Sequence, residues 1–506
     1  MKVKTALLFV ALCAGSTTAH AQVEVLTEAQ ASGAIGDHQP LWLHANKYGL
    51  GSLDSLSGYV RAGLFRHIDA DSARRWALGG GVDVVAGRGI ASNVVLHQAY
   101  GQVRWLKGVL TVGSKEQRAE LKNQELSTGS QTLGVNARPV PGVRLELPHY
   151  WQVPGLRGWL GLRGHIFYGM TTDDHWQKDF TATTSKYTKH TKLHTKAGFL
   201  RIGKSGRPFS AELGIEMGCQ YGGTSYIEMG NGLTEIDNED GLKGMLRALV
   251  PSGGEVGEGL YHNTSGNHVG SYLLRLNLER RQMGLSLYAD HYFEDHSQMF
   301  FIDYDGYGQG DEFNEWKDRR WFVYDFRDVL IGAELRLKQL PAMSRVVLEY
   351  VYSKYQSGPV YHDRTRLLSD HVAGRDEYYN HSIYTGWQHW GQVMGNPLYR
   401  SPLYNADGQI RVMDNRFWAW HVGVSGDPVD AFHYRVLATL QRGWGTYTDP
   451  LPDPRSNVSL LFEGEYRWPD SGWSLRGALG MDFGGLLGDQ VGAQLTVARR
   501  FRLTKN

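Results

Sequence analysis

The richest chemistry along this chain lies in Trp387-Gln388-His389-Trp390-Gly391-Gln392, with Tyr378, Asn380 and His381 before it and Asn396 after it. Sugar rings present an apolar face and a fringe of hydroxyls. Binding them takes flat aromatic side chains beside groups that donate and accept hydrogen bonds. Tyr378, Asn380, His381, Trp387, His389, Trp390 and Asn396 supply that mixture and are the candidate polysaccharide-binding residues. The same residue types also build interface girdles and self-satisfied loop networks, and on sequence alone both readings stay open.

Two further stretches invite a catalytic or metal reading and fail on spacing. Asp303-Tyr304-Asp305-Gly306-Tyr307-Gly308-Gln309-Gly310-Asp311-Glu312 alternates oxygen ligands with glycine, yet it misses the calcium-loop pattern. His291-Tyr292-Phe293-Glu294-Asp295-His296-Ser297 brings His, Asp and Ser together, but neighbours on a strand point to opposite faces, and triads converge from distant segments. The chain has no His-Glu-x-x-His, no Gly-x-Ser-x-Gly and no phosphate loop. We therefore expect no catalytic residue, no metal site and no cofactor.

The elements that must position these residues read as strands. At the C-terminus Val491, Ala493, Leu495, Val497, Phe501 and Leu503 share one face, against Gln494, Thr496, Ala498, Arg500 and Arg502 on the other. His268–Leu278, Val458–Trp468 and Trp473–Phe483 alternate in the same way, the last two joined by the turn Pro469-Asp470-Ser471-Gly472. A strand with one apolar and one charged face suits a wall between lipid and water. About eighteen such segments run from Ser57 to Leu503, which predicts an all-β transmembrane antiparallel barrel. Charges such as Arg275, Glu279, Glu463, Glu465, Arg467, Arg476 and Asp482 are expected to pair across the lumen and fill it rather than line a pore.

Long excursions at about 114–141, 171–188, 222–266, 295–319, 357–378 and 391–415 belong on the outer face, opposite short periplasmic turns. Within one of them Leu242, Met245, Leu246 and Leu249 form the apolar stripe of a short helix, expected to pack into the barrel mouth.

The start of the chain fixes the compartment. Lys2 and Lys4, an apolar run from Ala6 to Ala14 and Ala19-His20-Ala21 are the marks of a secretory signal peptide, residues 1–21. Residues 22–56, too polar to span, are expected as an N-terminal segment at or inside the periplasmic end, and 57–506 as the barrel. Cys13 lies within the apolar run, so removal of the signal leaves Cys219 alone, without an internal disulfide partner. Lys and Arg number 53 against 52 Asp and Glu, which gives no bias toward nucleic acid. The 63 glycines and the 15 Trp, 27 Tyr and 17 Phe fit turns and interface belts of a barrel.

Several blocks resemble the Wzi-type capsule assembly proteins of the outer membrane, in the form common in Bacteroidetes. They are Pro40-Leu41-Trp42-Leu43-His44-Ala45-Asn46 with Tyr48-Gly49, Leu126-Ser127-Thr128-Gly129-Ser130, Asn136-Ala137-Arg138-Pro139-Val140-Pro141, Gly266-Asn267-His268-Val269-Gly270-Ser271-Tyr272, His291–Phe300, Asp328–Glu334, Tyr379-Asn380-His381 and Gly395-Asn396-Pro397-Leu398. Gln298 stands where that pattern has glycine, and Arg327-Asp328-Val329 replaces a more usual Asp-Gly-Leu. The resemblance implies an outer-membrane barrel of about eighteen strands, its lumen occluded by loops and short helices. It implies a non-enzymatic lectin that binds capsular polysaccharide and helps assemble or anchor the capsule, with outer-membrane lipids and the capsule export machinery as neighbours. The competing expectations are a solute channel and, behind it, a barrel hydrolase.

Overall fold

The computed structural model describes residues 23–503 except 72–74, 182–185, 205, 231, 251–265, 295–300, 303–309, 313–314, 316–320, 323–326, 357–359, 362–371 and 374–375. The signal-peptide residues, Cys13 and most of the Asp303–Glu312 stretch lie outside them.

Eighteen antiparallel strands close into one barrel. In chain order they are β1 (Val23–Ile35), β2 (Leu56–Arg66), β3 (Trp76–Arg88), β4 (Val94–Trp105), β5 (Gly108–Ser114) and β6 (Gly142–Gln152). Next come β7 (Leu160–Met170), β8 (Lys192–Ile202), β9 (Phe209–Tyr221), β10 (Asn267–Glu279), β11 (Met283–Glu294) and β12 (Val329–Leu337). The last six are β13 (Arg345–Tyr352), β14 (Phe417–Val429), β15 (Phe432–Gly445), β16 (Pro450–Trp468), β17 (Trp473–Gly484) and β18 (Gln490–Leu503). Each strand pairs with its neighbour in sequence, and β1 pairs with both β2 and β18, from Val23↔Leu503 to Ile35↔Val491. No free sheet edge is left in the wall.

Alternation sets the two faces. On β18 Val491, Leu495 and Val497 are exposed outward while Gln494 and Thr496 are buried inward. The outward positions carry dozens of exposed Leu, Val, Ile and Trp side chains, among them Leu64, Leu96, Ile166, Leu213, Ile331 and Leu479. A continuous apolar exterior of that extent belongs to a barrel whose outer solvent is hydrocarbon. Among the described residues no helix is long and apolar enough to cross a membrane.

The short connections lie at the rim that carries both chain ends: 106–107, 280–282, 430–431 and 469–472. In the last of these Gly472 has φ 69°, and a Cβ there would collide with the Arg500 carbonyl, so glycine is required. The long connections, 36–55, 115–141, 171–191, 222–266, 295–328 and 353–416, all rise at the opposite rim.

The segment expected to precede the barrel is corrected by this closure. Its residues 23–35 are β1, the strand that seals the wall, so the barrel begins at Val23 rather than near Ser57. The remainder enters from the long-loop rim, not from the end that carries the termini. There the one-turn helix α1 (Leu41–His44) is buried against the inner wall, with Leu43 and Pro40 filling the space above Gly480 and Gly492.

Helix α3 (Gly241–Leu249) is a second correction; helix α2 (Asp174–Phe180) precedes it in the chain. Rather than entering the barrel mouth, α3 lies on the outer wall of β8 and β9. Gly244 and Ala248 are its buried residues, Ala248 packing with Cys219 and Tyr221, while Leu242, Met245 and Leu246 are exposed. Small residues permit close approach to the wall, and the large apolar ones face the side where lipid lies.

Inside, the connections 36–55, 115–141 and 378–416 fill the long-loop half of the lumen. Leu41, Trp42, Leu126, Tyr292, Tyr378, Tyr379, Trp387, Tyr399 and Phe417 share one buried cluster. Inward charges of the wall pair as expected: Arg275 with Glu334 at 2.5 Å, Arg435 with Glu463 at 2.7 Å, and Glu465 with Arg467 at 2.7 Å and Arg476 at 3.4 Å. Below the plug, toward the rim of the short turns, a polar cavity of about 490 Å³ remains, lined by Arg61, Glu116, Arg144 and Arg163 among others.

Candidate functional site

Carboxylates rooted in the wall or in loop bases hold the plug by accepting its backbone N–H groups. Asp482 takes that of Leu41 at 2.8 Å, Glu349 that of Thr128 at 2.8 Å, Asp290 that of Gln131 at 3.0 Å and Glu294 that of Tyr379 at 2.8 Å. Such charge-assisted bonds satisfy backbone groups that a buried loop would otherwise leave bare.

Four of the seven candidate residues belong to this plug. Tyr378 is fully buried, donating its hydroxyl to Asp328 at 3.0 Å. The Trp387 indole packs onto Gly218, where no Cβ could fit, and donates to the Thr132 carbonyl at 2.8 Å. His389 is buried between the Arg138 carbonyl, 2.9 Å from Nδ1, and Thr172, 3.2 Å from Nε2. Asn396 donates to Thr128 Oγ1 at 3.1 Å and its own N–H goes to the Tyr379 hydroxyl at 3.0 Å. None of the four offers a surface to a polymer.

Asn380 and His381 sit half-buried but are engaged locally. Both ends of the Asn380 amide are used on Val412, at 2.8 and 2.9 Å. His381 Nδ1 accepts from the N–H groups of Ile383 and Tyr384 at 3.0 and 3.1 Å. Burial, reinforced by the nearby Lys186, pushes its pKa down to about 3, so the ring is a neutral acceptor.

Trp390 is the candidate residue that reaches a surface. It adopts φ 56°, fixed by its N–H bond to Asp173 at 3.0 Å, and the next residue, Gly391, lies tight against Trp176 and Leu403. The Arg138 guanidinium stacks 4.5 Å from the Trp390 ring centroid, and the indole N–H donates to Thr172 Oγ1 at 3.2 Å. On α2, Trp176 stacks on Phe180 at 4.8 Å, and both stay half-exposed. Buried Gln177 ties the helix to Thr188 at 2.9 Å. Burial pushes Arg138 down to about 10, opposed by Asp173, so it stays a cation, and its Nη2 is buried without a hydrogen-bond partner. Trp390, Thr172, Trp176 and Phe180 thus form an aromatic platform at the long-loop rim, backed by the buried Arg138 guanidinium. Sequence reasoning found Trp390 alone of these. The missed signal was Asp173-Asp174-His175-Trp176, a capping residue followed by an aromatic in a long excursion.

One group of metal-ligating types occurs among the described residues, Asp83, His97 and Glu116. The Arg61 guanidinium already bridges it, 2.5 Å from Asp83 and 2.9 Å from Glu116, and His97 is 2.8 Å from Glu116. This is an ion cluster with its cation built in.

The geometry defines a class: a transmembrane barrel of eighteen strands, stopped by its own loops, with an aromatic surface at the long-loop rim. No protein-family model matches the chain, and no curated protein matches it. Among solved structures it is similar to Wzi, an outer membrane protein involved in group 1 capsule assembly in Escherichia coli and described as a carbohydrate-binding β-barrel. The TM-score is 0.55 at 12% identity, covering 99% of this chain and 89% of that one. Acinetobacter baumannii OccAB4 has a TM-score of 0.46 at 9% identity, covering 96% of this chain and 100% of that one. Pseudomonas aeruginosa OccD3 (OpdP) has 0.45 at 9%, covering 96% and 93%.

Proposed function

We propose that this chain is an outer-membrane lectin-like protein of the Wzi type, delivered by a signal peptide at residues 1–21. It holds capsular or other surface polysaccharide at the long-loop rim, without catalysis. The observation that carries the reading is the occluded lumen: a barrel filled by Trp42, Leu126, Tyr379, Trp387 and Tyr399 is built to display a surface rather than to pass solutes. The platform of Trp390, Trp176 and Phe180 supplies ring faces, Arg138 holds the Trp390 ring from behind, and many weak contacts along a repeating polymer sum to firm retention.

Within this reading Trp390 replaces the buried Tyr378, Trp387, His389 and Asn396 as the residue that touches sugar. The test is binding of the purified barrel to surface polysaccharide from its own cells. Trp390→Ala and Trp176→Ala, each on the rim, are expected to weaken binding by about 10-fold, the worth of one aromatic stacking contact. In cells, deletion of the protein is expected to move polysaccharide from the cell-bound to the shed fraction. Unchanged retention, or a steady ohmic conductance of the intact barrel in planar bilayers, refutes the reading.

A further inference from the structure

The outward face of β12 to β15 changes character row by row toward the long-loop rim. Strand register sets Ile331, Tyr350, Trp420 and Leu440 side by side across the four strands. The next row up is Val329, Tyr352, Trp418 and Arg442. Two residues further on, with the same outward parity, come Arg327, Lys354, Arg416 and Trp444; the Trp444 N–H donates to the Arg416 carbonyl at 2.8 Å. Two rows of mixed aliphatic and aromatic side chains followed by a basic row match the order in which a bilayer passes from the edge of its hydrocarbon through the interface to charged headgroups.

The basic row is held in place by ring faces. The Arg416 guanidinium lies 3.8 Å over Tyr447, the Lys354 ammonium 4.1 Å over Trp444, Arg442 5.5 Å from Trp444 and Arg327 4.6 Å over Tyr355. Rings orient a cation without neutralising it. Among the described residues no carboxylate lies within ion-pair distance of Lys354, Arg416 or Arg442. The neighbouring Glu377 is engaged by the Thr448 N–H at 2.7 Å and by Arg411 at 4.0 Å. Two other outward-facing cations are occupied, Lys192 by Asp240 and Lys196 by the Leu249 carbonyl at the end of α3.

We propose that Lys354, Arg416 and Arg442 form a binding site for the phosphate groups of an anionic glycolipid in the outer leaflet. Its acyl chains would cover the Ile331–Leu440 row while its phosphates meet the basic row. The cations point sideways from the wall, directly above interface aromatics, which is where a lipid headgroup sits. A polymer approaching from above meets the loops first. This site is separate from the Trp390 platform.

The test uses the full chain in phosphatidylcholine nanodiscs doped with diphosphoryl lipid A, with retained lipid read by native mass spectrometry. The wild type is expected to retain diphosphoryl lipid A over the dephosphorylated form. The triple variant Lys354→Gln, Arg416→Gln, Arg442→Gln is expected to lose on the order of 100-fold in retention, three cations near a charged surface each contributing about tenfold or less. Arg442→Gln alone, at an exposed position, shows part of that loss should the triple variant fail to fold, and Lys338→Gln at the other rim shows none. Equal retention by wild type and Arg442→Gln, or indifference to removal of the lipid phosphates, overturns the proposal. So does full competition by an acidic oligosaccharide that inorganic phosphate does not reproduce, which would make the row a polymer contact.

Discussion

Glu349 is the place to break the plug without touching the outer wall. It is fully buried on β13 and accepts four hydrogen bonds: from Ser127 Oγ at 2.6 Å, the Thr128 N–H at 2.8 Å, Thr128 Oγ1 at 2.8 Å and the Tyr288 hydroxyl at 2.6 Å. Three of those donors sit on the 115–141 connection, and the fourth, Tyr288, is on β11. In Glu349→Ala the hydroxyls can turn toward one another, but the Thr128 N–H cannot, and an orphaned buried donor costs about 1–3 kcal/mol. Loss of the charge-assisted hydroxyl bonds and of the packed methylenes brings the total to about 3–5 kcal/mol against docking of the loop. That raises the undocked population by on the order of 10²-fold or more, since each 1.4 kcal/mol is about tenfold. The assay is a planar-bilayer recording paired with amide exchange of residues 123–137. Brief openings and lost protection in that segment are expected, while Leu348→Ala, one residue away but outward-facing, leaves both unchanged. A Glu349→Ala barrel that stays closed with full protection would refute the idea that the wall carboxylate pins the plug.

Trp387→Ala empties the space over Gly218 and is expected to destabilise the plug by about 3–5 kcal/mol, seen as early exchange of residues 387–399 while the barrel strands stay protected. Asp414 is buried at the base of β14, accepts the Gly445 N–H at 3.0 Å, and burial raises its pKa from 3.8 to about 7. A carboxyl whose folded pKa is raised contributes stability that is fully present below pH 3.8 and is lost as pH rises to about 7, at most about 4 kcal/mol in all. Proteolysis of the 353–416 connection should therefore speed up over that window, and Asp414→Asn should flatten the profile. Leu246→Trp on α3 places a reporter on the exposed side of a helix that lies on the outer wall. Its fluorescence should be quenched by brominated acyl chains in proteoliposomes, and water-like emission without quenching would put that face outside the membrane.

The wall was legible because its code is local. The expected strand 268–278 is Asn267–Glu279, 473–483 is Trp473–Gly484, and the terminal alternation from Val491 is Gln490–Leu503. β1 escaped because its outward positions Ala29, Ala31 and Gly33 are small and its inward Glu28 and Gln30 are polar. The contrast that marks a lipid-facing strand is muted there, and closure against β18 supplies what the segment lacks on its own. The α3 stripe is amphipathic as the sequence predicts, but it lies on the outer wall and not in the mouth: beside a membrane the apolar face turns away from the protein. Burial of the candidate site residues was illegible for another reason. Tyr378, Trp387, His389 and Asn396 are satisfied by Asp328, Thr132, Arg138 and Thr128, which lie 50 to 268 positions away in sequence. No window along the chain contains such a pair.

The inward carboxylates connect these two kinds of information. Asp482 faced inward in the sequence reading with no way to tell a pore charge from an anchor, and only the Leu41 N–H at 2.8 Å decides it. Glu349, Asp290 and Glu294 repeat the device, each an inward-facing acid that accepts an N–H of a plug loop. A pore would need such charges solvated and spaced along a free path; here each accepts a backbone N–H of an incoming loop, with Lys122 added at Asp290 and hydroxyls at Glu349 and Glu294. The loops therefore have defined entry points on a rigid wall, and the rim they form is held in one shape. That fixed rim is what leaves Trp390, held against Arg138, with little ordering to do on the polymer binding we propose.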